Sequence, residues 1–285
     1  MTQTAYLNGE FMPIEEARVP VLDRGFIFGD GIYEVVPVYA RRPFRWPQHL
    51  ARLKRSLAAI GIDNPHDDDG WTKLVTDLVA RHEWPDQFVY MQVTRGVARR
   101  DHAFPRPAVR PTVFGMSSPL VLPSAAQVEQ GVAAITLPDE RWLHCDIKST
   151  SLLGNVLARE AAVQAGAAEC VMFRDGYLTE GSASNIWVAR GERLFGPPTD
   201  NLVLQGVRYG LIQELCEQAG IALQLRRILR EEVQAADELI LSSATKEVLA
   251  ITSLDGRPVG TGKPGPVFAN LYAAYQQVKA RLASR

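Results

Sequence analysis

The sequence predicts an α+β protein of two domains, and three observations carry that expectation. At 285 residues the chain is longer than one hydrophobic core usually organises. Strand-like and helix-like stretches alternate in both halves. Between the halves, Ser117-Ser118-Pro119 and Pro123-Ser124 punctuate a short extended segment. The expected division is an N-terminal α/β domain over 1–118, a linker over 119–127 and a C-terminal domain over 128–285.

Taken in order, Ala5-Tyr6-Leu7 and Glu10-Phe11-Met12 flank Asn8-Gly9, the strongest short hairpin signal. The glycine-rich stretch from Asp23-Arg24-Gly25 to Phe28-Gly29-Asp30-Gly31 suggests backbone turning close to something. Residues 32–40 are rich in Val and Tyr and read as a strand. Pro47 opens a helix with Leu50, Leu53, Leu57 and Ile60 on one face, closed by Gly61. A second helix carries Trp71, Leu74, Val75, Leu78 and Val79. Strands over 88–94 and 111–116 are separated by a charged loop at 96–110. Past the linker, a strand at 133–137 leads to a loop holding Lys148, then to a helix that ends at Gly166. Asp175-Gly176 turns a hairpin, and a strand spans 185–189. A helix runs from Val207 to Gly220, strands are expected at 223–228 and 238–242, and Leu254-Asp255-Gly256-Arg257 turns another hairpin. An amphipathic helix ends the chain.

Composition excludes several function classes. A net charge of −1 supplies no field to attract nucleic acid or an anionic membrane. No apolar run approaches the roughly 18 residues that span a bilayer. Cys145, Cys170 and Cys216 show neither metal-ligand nor disulfide spacing, so we expect reduced thiols, no metal and a cytoplasmic location. Met1-Thr2-Gln3-Thr4 has no basic start followed by an apolar core, so no signal peptide is expected.

Candidate chemistry gathers on Asp146-Ile147-Lys148-Ser149. Only six of the 31 basic residues are lysines. Lys148 stands out because it lies between a strand and a helix with hydroxyls, not acids, beside it. A sheltered lysine can lose its proton near neutral pH and form a Schiff base, as pyridoxal phosphate enzymes require; a solvated loop lysine is the alternative. Glu180, in Leu178-Thr179-Glu180-Gly181-Ser182, is a lone acid among small residues that could hold a protonated pyridine nitrogen, or simply sit in a surface turn. Gly206-Val207-Arg208 begins a helix whose free N–H groups suit a phosphate. Ser243-Ala244-Thr245 could add donors, and Arg52 could add charge.

These segments, with Tyr33-Glu34 and Asn185, resemble the fold-type IV pyridoxal phosphate enzymes over nearly the whole chain. That group includes D-amino acid transaminase, branched-chain aminotransferase and aminodeoxychorismate lyase. The resemblance implies a smaller N-terminal α/β domain and a larger, β-barrel-like C-terminal domain with helices. It implies pyridoxal 5'-phosphate as cofactor, with Lys148 as the Schiff-base residue and Glu180 on the pyridine nitrogen. Arg52, the N–H groups of Val207 and Arg208, and the Ser243-Ala244 loop would meet the phosphate. Two positions depart from the family pattern: Ala244 stands where relatives usually carry Thr, and Arg208 replaces a smaller hydroxyl residue.

The loop Thr94-Arg95-Gly96-Val97-Ala98-Arg99-Arg100-Asp101-His102 resembles that of D-amino acid transaminases, in which an Arg, a His and a Tyr trap the substrate α-carboxylate. Here these are Arg100, His102 and Tyr33. The implied activity is transfer of the amino group between D-alanine-like amino acids and 2-oxo acids such as 2-oxoglutarate. Branched-chain L-amino acid or (R)-amine transamination and aminodeoxychorismate lyase activity remain the alternatives. In this family the loop and the active site come from different subunits, which implies a homodimer.

Overall fold

In the computed structural model, residues 3–283 are described; Met1 and Thr2, part of the N-terminal stretch read above, lie outside them. The chain forms two compact units. Among the described residues, the first comprises residues 3–121 and Ile147–Leu152, and the second comprises Leu122–Asp146 and residues 153–283.

The first unit contains, in order, β1 (Thr4–Leu7), β2 (Glu10–Pro13), α1 (Arg24–Phe28), β3 (Gly31–Tyr39), β4 (Arg42–Pro43), α2 (Trp46–Ala59), α3 (Asp68–Ala80), β5 (Gln87–Thr94) and β6 (Thr112–Pro119). Asn8 and Gly9 have φ of 53° and 110°, the left-handed pair that a tight hairpin between β1 and β2 requires. The six strands form an antiparallel sheet ordered β2-β1-β6-β5-β3-β4. The expected 3.6-residue spacing puts Leu50, Leu53 and Leu57 of α2 inside, and Asp67 caps α3 by accepting from Gly70 N at 2.7 Å. These helices bury Trp71, Leu53, Leu57 and Leu78 against Val36, Val38 and Met91 of the sheet. β6 runs on through Ser117-Ser118-Pro119, which sequence reading took as punctuation: Ser117 pairs with Val89, and its hydroxyl bonds Gln87 Oε1.

The second unit contains α4 (Ala125–Gln130), β7 (Val132–Pro138), α5 (Leu153–Gln164), β8 (Glu169–Arg174), β9 (Tyr177–Leu178), β10 (Asn185–Arg190), β11 (Arg193–Gly196), α6 (Val207–Ala219), β12 (Ala222–Leu225), α7 (Arg230–Gln234), β13 (Glu238–Ser243), β14 (Glu247–Leu254), β15 (Arg257–Pro258) and α8 (Pro266–Ala283). Its sheet runs β12-β11-β10-β13-β14-β7-β8-β9, with β15 on β14. The two ends of that order are tied to each other. Leu178 N of β9 donates to Ile228 O at 2.8 Å, and Arg230 N donates to Gly176 O at 2.9 Å, just past β12. The sheet is therefore curled, which hides its edges. Inside it lie Val171, Phe173, Ile186, Val188, Leu239 and Leu241.

Two further stretches differ from the sequence reading. Within 119–127, Ser124 and Gln127 form a reciprocal capping box that starts α4, so this stretch is partly helical. The strand expected over 223–228 stops at Leu225, because Arg226 turns to pair with Glu232 at 2.5 Å. Among the described residues no helix is long and apolar enough to cross a membrane.

Candidate active site

Lys148 belongs with the first unit although it lies in the stretch assigned above to the C-terminal domain. Main-chain bonds hold it there. Tyr33 N donates to Lys148 O at 2.9 Å, Thr150 N donates to Gly31 O at 2.9 Å, and Ser149 bridges Ile32. The backbone of Lys148 is thus fixed to β3. Its side chain is half-buried, with Nζ 4.1 Å from the centroid of the Tyr33 ring. Tyr33 in turn stacks on Tyr90 at 5.8 Å. Burial and the neighbouring Tyr33 push the Tyr90 phenol up to about 12, so it stays protonated.

On the opposite face of β3, alternation puts Glu34 in the core with Ile32, Val36 and Val38. A buried acid requires partners, and it has two. Arg52 donates to it through Nε at 2.7 Å and Nη2 at 2.9 Å, and His49 Nδ1 lies 2.9 Å from its Oε2. Burial alone would raise the Glu34 carboxyl; the guanidinium and the imidazole hold it well below the usual carboxylate range. Arg52 is therefore a fixed, buried cation oriented by Glu34 and not a member of a solvated basic face. From sequence, Glu34 is named beside Tyr33 without a role; an acid in phase with buried Ile and Val along a strand is the signal for one.

Arg100 and His102 gather on Phe28. The guanidinium carbon of Arg100 lies 5.5 Å from that ring, and the His102 ring lies 5.4 Å from it. Both are exposed, whereas Tyr33 groups with Lys148 and Tyr90.

In the second unit, Glu180 is 5% exposed and follows the β8–β9 hairpin. Its Oε1 accepts from Arg141 Nη1 and from Leu204 N at 3.2 Å, and its Oε2 accepts from Asn185 Nδ2 at 3.1 Å. Burial raises the Glu180 carboxyl, and Arg141 pulls it back. An ionised carboxylate offers about four acceptor directions. These bonds leave one on Oε2, which fits the N–H of a pyridinium ring. Asn185 Oδ1 would lie 2.3 Å from a Cβ added at Gly206, so only glycine fits at the start of α6.

Arg141 was not singled out from sequence. It is the centre of a buried chain, with Nη2 2.8 Å from Asp139 Oδ2 and Arg174 Nη2 3.1 Å from Asp139 Oδ1. Burial would raise the Asp139 carboxyl, but the Arg141 guanidinium holds it down to about 2. A carboxyl depressed by folding stabilises above its ordinary value of 3.8, and that stabilisation is lost as pH falls through about 2. Asp139→Asn is therefore expected to destabilise the protein by about 3–5 kcal/mol at neutral pH. The gap to wild type should narrow as pH falls from 3.8 towards about 2. Urea unfolding across that range checks this; parallel pH curves for the two proteins would contradict it.

At the start of α6, Gly206 makes no side-chain cap bond. The Arg208 side chain is buried, and its Nη2 donates to Ala244 O at 3.3 Å, which ties the helix start to the turn after β13. In that turn Ser243 Oγ accepts from Lys246 N at 3.0 Å. Val207, Arg208, Ser243 and Ala244 are thus adjacent, and Ala244 takes part through its carbonyl.

Comparison with known proteins extends these observations. Residues 31–254 match the family amino-transferase class IV. The chain is 39% identical over 269 residues to a D-alanine aminotransferase of Bacillus licheniformis, covering 94% of each protein. In fold it is similar to a branched-chain amino acid aminotransferase of Escherichia coli, with a TM-score of 0.91 and 23% identity over 97% of this chain and 94% of that one. A second branched-chain amino acid aminotransferase, from T.th. and solved with pyridoxamine 5'-phosphate, gives a TM-score of 0.90 at 23% identity, over 99% and 95% of the two chains.

Proposed function

The chain belongs to the class IV aminotransferases, and from that membership we propose that it moves the amino group between D-alanine-like amino acids and 2-oxo acids such as 2-oxoglutarate. The observation that carries this reading is the near end-to-end likeness to a D-alanine aminotransferase, at 39% identity over 94% of both proteins. The cofactor is pyridoxal 5'-phosphate. When bound, it supplies an electron sink for negative charge at the substrate α-carbon.

The chain's own residues supply the rest. Lys148 Nζ would hold the cofactor as a Schiff base and, once the substrate amine displaces it, would be the base that takes and returns the α-proton. The fixed Lys148 backbone and the Tyr33 ring support this role by limiting where Nζ can go. Glu180 Oε2 would accept from the pyridine N–H; Arg141 and Asn185 hold that carboxyl in place, and Arg141 counters the rise that burial causes. Arg52, the N–H groups of Val207 and Arg208, and the Ser243-Ala244 turn bind the phosphate. Arg208 supports this from behind, through Ala244 O, leaving hydroxyl donation to Ser243 or Thr245. Tyr33, Arg100 and His102 bind the α-carboxylate, since a planar guanidinium matches a carboxylate bidentately.

The working form is a homodimer, with Arg100 and His102 serving the partner's substrate. Their exposure supports this, as does α5, whose Leu153, Val156 and Leu157 share one helix face and are 72%, 58% and 62% exposed. A cytoplasmic location belongs to the same reading, supported by three free, buried thiols.

Product analysis tests the reaction class. Purified holoenzyme given D-alanine alone should release no more than one pyruvate per bound cofactor; continued release should require 2-oxoglutarate, with glutamate then formed in equal amount. Pyruvate from aminodeoxychorismate with no amino acceptor would favour the lyase and defeat this reading.

A further inference from the structure

The loop that carries Arg100 and His102 has almost no buried side chains of its own: residues 99–104 are all exposed. Flexible loops place ligand groups poorly, and ordering them on binding costs entropy. Something else must hold this one. The holder is Arg24, at the start of α1 and 3% exposed. Its Nη1 donates to Asp101 O and, at 3.3 Å, to Ala103 O; its Nη2 donates to His102 O at 3.4 Å. Three successive carbonyls therefore face one guanidinium. That cation also lies 4.9 Å from the Phe28 ring, the same ring that Arg100 and His102 approach.

Arg24 is itself held. Its Nε donates to Asp30 Oδ2 at 2.7 Å. Arg95 takes the same carboxylate through Nε at 2.8 Å and Nη2 at 3.0 Å, and fastens the other side of the loop. Its Nη1 bonds Gly61 O at 2.9 Å, its Nη2 bonds Ile60 O at 2.7 Å, and its guanidinium stacks 3.6 Å over Phe104. Asp30 thus joins two buried arginines, one clasping the loop backbone at 101–103 and the other its Phe104 side chain. Lysine in place of either arginine would keep the charge but lose the fork that reaches the carboxylate and the carbonyls together.

We propose that Arg24, oriented by Asp30, is a positioning residue that fixes the 101–103 backbone and thereby sets Arg100 and His102 for carboxylate-bearing substrates. This rests on the carboxylate-trap reading of Arg100 and His102. Its effect is on substrate recognition, exerted through the loop, with no contact to the reacting atoms.

The test is a double-mutant cycle on the holoenzyme with D-alanine, using wild type, Arg24→Lys, Arg100→Ala and the double variant. A misplacement of about 1 Å can cost up to about a hundredfold. Arg24→Lys is therefore expected to raise KM for D-alanine by about tenfold or more, while kcat stays within about threefold and the visible band of the bound cofactor is unchanged. Amide hydrogen exchange over 101–103 should quicken. The double variant should be no worse than Arg100→Ala alone, because Arg24 acts through that residue. Losses that multiply would overturn the proposal, as would a fall in kcat and cofactor binding at unchanged KM. If Arg24→Lys does not fold, Asp30→Asn is read by the same criteria. A wild-type KM in Arg100→Ala would overturn the trap reading and this inference with it. A raised KM in Arg100→Ala beside a wild-type KM in Arg24→Lys would overturn this inference alone.

Discussion

Replacing Lys148 with alanine is expected to remove the visible absorbance of lysine-bound cofactor and to slow α-proton transfer by roughly 10² to 10⁴ or more. The loss should be chemical, not structural. The contacts that hold this segment to β3 use its main chain: Tyr33 N on Lys148 O, and Thr150 N on Gly31 O. Alanine keeps both, so unfolding should stay close to wild type. No other lysine is expected to take over. Lys246 Nζ is occupied by Ala168 O at 2.9 Å and by Glu169 at 3.2 Å. Borohydride reduction of wild type followed by peptide mapping should mark Lys148. A label on Lys246 or Lys263, or full turnover by the variant, would refute the assignment.

The second large effect concerns the substrate carboxylate. Arg100→Ala removes one charge-assisted contact, and kcat/KM for D-alanine should fall by roughly thirtyfold to several thousandfold. An (R)-amine without a carboxylate, such as (R)-1-phenylethylamine, gains nothing from that contact and should be spared. Because Arg100 is exposed and rests on the Phe28 ring, the substitution should leave thermal stability nearly unchanged. Both substrates are measured on both proteins; equal losses for the two would remove Arg100 from carboxylate binding. On the proposed reading Lys148 would reach the α-carbon from one face, so the side that anchors the carboxylate would decide which enantiomer presents its hydrogen. An anchor at Arg100 is expected to favour the D form.

Features set by local chemistry were legible in the sequence. The Asn8-Gly9 and Asp175-Gly176 turns, the apolar stripes of α2 and α3, and the Gly220 stop of α6 follow from φ preferences and helical spacing. Lys148 and Glu180 could be picked out because each is a charged residue among small or hydroxyl neighbours. The features that escaped depend on partners distant in sequence. Arg141 sits in the unremarkable run Asp139-Glu140-Arg141-Trp142, and its role appears only when folding brings Glu180 to its Nη1. Asp30 looked like part of a glycine-rich turn, yet its significance is a carboxylate shared by Arg24 and Arg95. The segment at 147–152 joined the first unit through backbone bonds to β3, which no side-chain pattern announces. Pro123-Ser124 reads in sequence as punctuation within the 119–127 linker; Gln127, three residues on from Ser124, is the signal for the capping box that starts α4.

The most direct measurement is a set of half-reactions on the purified holoenzyme, following conversion of the cofactor from its aldehyde to its amine form with D-alanine, L-leucine or (R)-1-phenylethylamine and no acceptor. A D-amino acid transaminase with its carboxylate anchored at Arg100 converts fastest with D-alanine. Faster conversion with L-leucine would contradict that assignment and place the carboxylate on the opposite side of the pocket.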